Sequence, residues 1–435
     1  MIGDTGVRTL SMMRRRLPAQ IAQSWGLVLA MLASHVLSYL FQLVMSRSLR
    51  ASDFGLLNGL MSFALLITIP VSTIKLTVAR QTAEMVVRGG YDQVRRFVRE
   101  DLRRTTLIIL AGIAGYLVVA PYLSSFFHTS LPPIWLAGAL CLVSLYVPFA
   151  EGVLQGTQRF NVLAAGILTR YVGKLALGAF LVIVGLGVEG ALAALFLATT
   201  AAAAYWFAVV ASTRGTGGSE AGATVDEETT YPRDIWSTLV TYASVVLLMN
   251  VDVTLARHYL SAADSAHYAI AALLGKIAYY LPGFVVIIMV PRVASASVSG
   301  RSTRQYLGFA FLATLAASAS VVLVYALFPQ QVISILFGSS YASPGTAALV
   351  LFYSVAMLIL SLLYLEVHYL LARRYTRPLY GLLAGPVVAL LGMVLRHGSG
   401  LDLVGALMLG LVSGLLTVNV LAIVLRGIGG DSKGG

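Results

Sequence analysis

The stretch FQLVMSRSLRASDFGLLNGLMSFALLITIPVSTIKLTVARQTAE, residues 41–84, decides how the chain is read. It contains the end of one apolar run, a polar turn with Arg47, Arg50 and Asp53, and a second apolar run carrying Pro70, Lys75 and Arg80. A weaker copy lies at residues 250–296, NVDVTLARHYLSAADSAHYAIAALLGKIAYYLPGFVVIIMVPRVASA. Each copy places a cation inside an apolar hairpin.

Hydrocarbon offers no partner to backbone N–H and C=O groups, so apolar runs of about 20 residues that cross it must be helices. The 435 residues are 58% hydrophobic and only 11% charged, and the mean hydropathy is +0.85. Soluble domains average about 25% charged residues. The composition therefore predicts an all-α polytopic membrane protein. The net charge of +12 is read as topological rather than as a nucleic-acid surface. The single cysteine, Cys141, sits in an apolar run and serves neither an intramolecular disulfide nor a metal cluster. The apolar run after the basic N-terminus is too long for a cleaved signal and reads as a retained helix.

Twelve spans are predicted, near residues 25–45, 55–79, 106–127, 134–154, 162–186, 191–211, 236–256, 268–290, 306–328, 346–371, 378–395 and 403–425. The N-terminal tail, the even-numbered loops and the C-terminal tail hold 22 of the 30 Lys and Arg residues. The odd loops hold four, Arg47, Arg50, Arg257 and Arg396. By the positive-inside rule both termini are cytoplasmic. Residues 80–104 read as an amphipathic helix at the membrane surface. The expected domains are a tail (1–24), an N-lobe of spans one to six (25–211), a flexible linker (212–235), a C-lobe of spans seven to twelve (236–426) and a tail (427–435).

The halves are related by a weak repeat. A shift of 211 matches Trp25 with Trp236 and Asp53 with Asp264, and a shift of 215 matches Glu151 with Glu366 and Arg159 with Arg374. Six helices per half make the repeats parallel, an arrangement common in secondary transporters.

Four cations lie inside spans: Lys75, Arg170, Lys174 and Lys276. Each costs roughly 2.5–3.5 kcal/mol to insert, so each faces water, pairs with an acid or snorkels. Arg170 and Lys174 are four residues apart and share a face; Lys174 lies about 12 residues, or ~18 Å, into span five. A water-filled role and an ion pair with a carboxylate of another span both remain open for them. Asn250 and Asp252 lie at a depth compatible with Lys276, for pairing or ion coupling. Lys75 has a snorkelling alternative. Glu151, Arg159, Glu366 and Arg374 read as helix-end braces, and His35 and His368 as packed side chains. Four cations against the acids Asp252, Glu151 and Glu366 leave an electropositive interior, suited to a phosphate or diphosphate. No nucleotide-binding or catalytic motif is present, so neither an enzyme nor a cofactor is predicted.

The segment SRSLRASDFGLLNGLMSFALLITIPVSTIKLTVARQTAE resembles the opening hairpin of the polysaccharide-flippase branch of the multidrug/oligosaccharidyl-lipid/polysaccharide exporter superfamily. NVDVTLARHYLSAADSAHYAIA is similar to that family's seventh-span signature, and EGVLQGTQRFN to its fourth-span exit. One departure is Ala266, where the family's repeat usually carries Gly. The resemblance implies two six-helix lobes with spans one, two, seven and eight around a central cavity. It implies alternating access and a lipid-linked oligosaccharide, or similar polyprenyl-diphosphate lipid, moved across the plasma membrane. Lys75, Arg170, Lys174 and Lys276 are then the expected substrate ligands, with Arg47 and Arg257 at the outer mouth. Expected partners are the lipid-linked glycan, membrane lipids and other polysaccharide-assembly proteins, with no nucleic acid and no nucleotide. Rival readings are a cation-coupled multidrug antiporter of the same fold, a non-transporting scaffold of an envelope-glycan synthesis complex, and a membrane glycosyltransferase, the last disfavoured by short outer loops poor in acids.

Overall fold

The computed structural model describes residues 3–67, 71–212, 232–299 and 301–430. Pro70, most of the expected linker and the last five residues lie outside the described residues. Among those described, every regular element is helical. Ten helical segments are long and apolar enough to cross a membrane. One of them, Phe160–Ser212, holds two helices, Phe160–Leu181 and Gly187–Ser212, joined by a turn with Gly185 and Gly187 at φ 99° and 52°. The shorter apolar helix Ala51–Ile67 begins span two, which resumes at Val71. Counted so, the described residues give the twelve passes expected.

Span eight is broken. Helix Ala262–Tyr280 stops and helix Gly283–Val298 starts across Leu281 and Pro282. A proline has no N–H to donate and its ring clashes with the carbonyl four residues earlier. The segment Ala262–Val298 has 37 residues, about 55 Å if straight, against ~30 Å of hydrocarbon. The break divides a segment too long to cross directly.

The chain forms two compact units, each described here by itself. The first draws on Met1–Ser48, Val71–Pro121 and Leu131–Glu227, the second on Leu49–Pro70, Tyr122–Ser130 and Glu228–Gly435. In the first unit spans one, five and six pack together, and span four lies against span six. Its core gathers Phe149, Val153, Leu154, Leu163 and Trp206, and Trp206 Nε1 donates to the Val162 carbonyl at 3.1 Å. Val94 and Val98, one helical turn apart, are buried in the same cluster. The apolar face of the segment expected at the membrane surface is thus covered by protein.

In the second unit, helix Ala51–Ile67 packs on helices Pro232–Tyr259 and Ala262–Tyr280. Phe54, Leu57 and Leu60 on it are almost fully buried. Glycine makes the approach possible: a Cβ on Gly59 would lie 2.9 Å from Arg257 Cβ, and one on Gly55 would lie 3.0 Å from Ala266 N. Gly55 thus faces the backbone at Ala266, the position where the sequence departs from the family it resembles.

Among the described residues three non-glycine positions have positive φ: His128, Gln158 and Arg374, at 49°, 56° and 56°. Each closes a helix in the same way. Gln158 N donates to Gln155 O at 3.0 Å and Arg159 N to Leu154 O at 2.8 Å; Arg374 N donates to Leu371 O at 2.9 Å and Tyr375 N to Leu370 O at 3.0 Å. His128 and Thr129 do likewise at the end of span three. These are Schellman turns, which satisfy orphan carbonyls through a left-handed residue. They correct the repeat register: the equivalent turn residues are Gln158 and Arg374, whereas sequence identity pairs Arg159 with Arg374. A side chain in this conformation costs roughly 1–2 kcal/mol. Gln158→Gly is therefore expected to stabilise the purified protein by up to about 1 kcal/mol after glycine's extra unfolded-state entropy, and so to raise its thermal unfolding midpoint. Gln158→Val is expected to lower it; equal midpoints for the two variants would contradict the assignment.

Candidate functional site

In the first unit, Gly152 and Gly156 bring span four onto the part of span two that follows Val71. A Cβ on Gly152 would meet the Lys75 carbonyl oxygen at 2.7 Å and Val78 Cβ at 2.9 Å; one on Gly156 would meet Thr82 Cβ at 2.7 Å. Close approach between backbones is a common basis of helix association in lipid. It sets Glu151, one residue before the first glycine, beside Lys75, whose Nζ donates to Oε2 at 2.6 Å. The Lys75 charge is answered within the unit.

Span five carries a different pair. Lys174 is 5% exposed. Its Nζ donates to Ser38 Oγ of span one at 2.9 Å and lies 5.0 Å from the Phe41 ring centre and 4.8 Å from that of Tyr171. Gly178, one turn further on, makes room for the Phe41 ring. Arg170 Nη2 donates to the Tyr171 hydroxyl at 3.1 Å, with Cζ 4.9 Å from the ring centre. Among the described residues the ion pairs are Arg50–Asp53, Lys75–Glu151 and Arg80–Glu84; neither Arg170 nor Lys174 has a carboxylate partner. One hydroxyl and two ring faces stabilise the ammonium, but its positive charge is not neutralised.

The second unit holds Asn250, Asp252 and Lys276. Asp252 is fully buried, and its Oδ2 accepts from the Tyr268 hydroxyl at 2.9 Å. The Tyr268 ring meets Tyr353 edge to face, 5.8 Å between centres. Lys276 Nζ donates to Asn250 Oδ1 at 3.2 Å and feels the Asp252 charge without an ion-pair contact. Lys276 therefore has an amide ligand and a nearby carboxylate.

Arg257, expected at an outer mouth, is buried in the second unit, only 7% exposed. Its Nε donates to Phe127 O at 3.2 Å and its Nη2 to His128 O at 3.4 Å. His258 Nδ1 donates to Phe126 O at 2.9 Å, and its ring stacks on Phe126 at 4.0 Å. The two side chains hold the last carbonyls of span three, the negative end of its helix dipole. Arg47 is exposed in the last turn of helix Gly3–Ser48. Glu366 accepts from Asn419 Nδ2 at 3.0 Å, and Arg159 lies over the Tyr91 ring at 5.5 Å. Among the described residues no salt bridge links Glu151 to Arg159 or Glu366 to Arg374; the helices ending there are closed by their backbone turns.

The sequence did not single out Ser38, Tyr171, Tyr353 or Asn419, and gave Phe41 and Tyr268 no part in the site. The aromatic beside Arg170 and the Gly178 gap on the Lys174 face were the available signals for the first cluster.

No protein-family model matches the chain. An uncharacterised membrane protein of Methanocaldococcus jannaschii is 28% identical over 178 residues, a match that spans 40% of this chain and 40% of that protein. Among solved structures, the lipid II flippase MurJ in an inward closed conformation aligns with a TM-score of 0.69 at 13% identity, over 92% of this chain and 87% of that one. An inward-facing multidrug resistance MATE family transporter of the MOP superfamily aligns with a TM-score of 0.66 at 14% identity, over 92% and 96%. The chain shares the fold of these MOP transporters, as the resemblance in its sequence implies, and it is a multi-pass membrane protein.

The two lysines of the first unit should respond oppositely to neutral replacement. Lys75→Met leaves the half-buried Glu151 without its partner and should cost about 1–3 kcal/mol, less than a fully enclosed pair because both side chains are partly exposed. Lys174→Met removes an uncompensated buried charge and should leave the thermal midpoint unchanged or raise it. A large destabilisation by Lys174→Met would show that its cation is structural.

Proposed function

We propose that the protein is a transporter that flips an anionic lipid-linked glycan precursor, carried on a polyprenyl diphosphate, across the plasma membrane by alternating access. The observation that carries this reading is the Arg170–Lys174 pair, two membrane-embedded cations with no carboxylate partner among the described residues. A protein keeps such a pair at a cost to stability when an anion uses it. An Arg fork and a Lys point charge suit a diphosphate and repel an organic cation. Lys75 and Lys276 have internal partners and play the lesser part, setting the local potential. The fold shared with a lipid II flippase supports a lipid-borne substrate. The arginine bias supports cytoplasmic termini. Transport needs no chemistry on the substrate, in keeping with the lack of a catalytic motif.

The second reading, a cation-coupled multidrug antiporter, draws support from the MATE likeness. It calls for a membrane acid open to substrate or ion, and Asp252 is fully buried with Tyr268 bound to it.

The test is translocation of a lipid-linked oligosaccharide in proteoliposomes. Wild-type protein should flip it, and Arg170→Ala/Lys174→Ala should lose at least about tenfold in rate, since two charge-assisted contacts are worth roughly 1.5–3 kcal/mol each. Lys276→Ala should lose less. Wild-type rates in the double variant would sink the cationic-site mechanism, and drug efflux without lipid movement would favour the antiporter.

A further inference from the structure

One side chain in the first unit touches both cations of span five. The ring centre of Tyr171 lies 4.9 Å from Arg170 Cζ and 4.8 Å from Lys174 Nζ, and its hydroxyl accepts from Arg170 Nη2 at 3.1 Å. The ring does not depend on either cation for its place. It packs against the buried cluster that holds Leu163, Ile167 and Trp206.

Two like charges four residues apart on one helix face repel, and buried charges are poorly screened. An aromatic ring carries partial negative charge on its faces and attracts a cation without a net charge of its own. Tyr171 does this for both side chains at once, and the sum of the two distances, ~10 Å, bounds the separation of their charges. Lys174 is held further by the Phe41 ring at 5.0 Å and the Ser38 hydroxyl at 2.9 Å. These contacts use few donors. An ammonium has three N–H groups and a guanidinium five. Among the described residues Ser38 takes one from Lys174 and the Tyr171 hydroxyl one from Arg170. The other donors have no protein acceptor there.

The two phosphates of a diphosphate each have terminal oxygens and are joined through one bridging oxygen. A guanidinium fork and an ammonium kept within that bound can each engage one of them, whereas a monophosphate offers a single set of oxygens to both. Without the shared ring the two cations are free to swing apart, and the second phosphate loses its ligand. We infer, on the reading above that this pair binds the head group, that Tyr171 is the positioning residue of the cationic site. By tethering Arg170 and Lys174 to one ring it makes the site prefer a lipid diphosphate to a lipid monophosphate.

The experiment uses the full chain in detergent, titrated with a polyprenyl diphosphate or with the matching polyprenyl monophosphate. Affinity by native mass spectrometry is the readout, and lipid-free thermal midpoints check that each variant folds. Wild-type protein is expected to bind the diphosphate at least about tenfold more tightly. Tyr171→Leu should bring that ratio close to one while keeping monophosphate binding. Tyr171→Phe keeps the ring and loses the hydroxyl, so it should hold Lys174, loosen Arg170 and lower the ratio by an intermediate amount. It also keeps the test alive if Tyr171→Leu does not fold. A tyrosine that only filled space would, on replacement, weaken both lipids alike. An unchanged ratio in both variants would therefore overturn the positioning role and leave the cationic site standing. Equal affinities in wild-type protein would overturn the preference. Wild-type protein that binds neither lipid would instead bring down the cationic site itself, and the role of Tyr171 with it.

Discussion

Hydrocarbon accepts no hydrogen bond and solvates no charge, and the chain is arranged around that constraint. Many of its buried polar groups are answered by neighbours within the same unit. Ser318 donates to the Ala278 carbonyl, Tyr325 to that of Leu274, and Tyr268 to Asp252. Cations follow the same rule by three routes. Lys75 uses a carboxylate, Lys276 an amide and a more distant carboxylate, and Arg257 the carbonyls at a helix end. Lys174 departs from it, with a hydroxyl and two aromatic faces but no negative charge. Against the other three, its environment lacks a negative charge.

Steric fit determines which of these contacts exist. Lipid tails are as apolar as leucine, so helix association depends on how closely backbones approach. Gly152 and Gly156 do this for the Lys75–Glu151 pair, and Gly55 and Gly59 do it beneath Ala266 and Arg257. A methyl group at these glycines would separate the helices and pull the charges apart with them. The electrostatics of the molecule therefore rest on a few positions with no side chain at all.

The fold class was legible because it follows from run length and charge scarcity, which need no knowledge of neighbours. The in-span cations were visible for the same reason. Their partners were not. Periodicity gives the face on which Lys75 lies but not that Glu151, 76 residues away, reaches it. The arginine bias gave Arg257 a side of the membrane but could not show that span three ends beneath it. The apolar face of residues 91–104 was readable, yet lipid and protein look alike to such a pattern, and protein covers it. The repeat register slipped by one residue at Arg374, because identities were matched where the conserved object is a backbone turn. Pro282 was visible too, but a proline alone does not say whether a span kinks or breaks.

The make-up of the second unit bears on how the chain is assembled. Helix Ala51–Ile67 and the tip of span three are synthesised early, yet they pack with helices that leave the ribosome more than a hundred residues later. Until then the Gly55–Gly59 face lacks the protein that covers most of it and must be held by lipid or by a passing partner. Insertion can proceed span by span, but the second unit cannot close until its first-made helix has been joined by helices Pro232–Tyr259 and Ala262–Tyr280. A chain severed between spans six and seven would yield two pieces, of which the C-terminal one lacks part of its own core. Order of synthesis and order of packing are thus uncoupled in this molecule, and its early helices have to survive the interval.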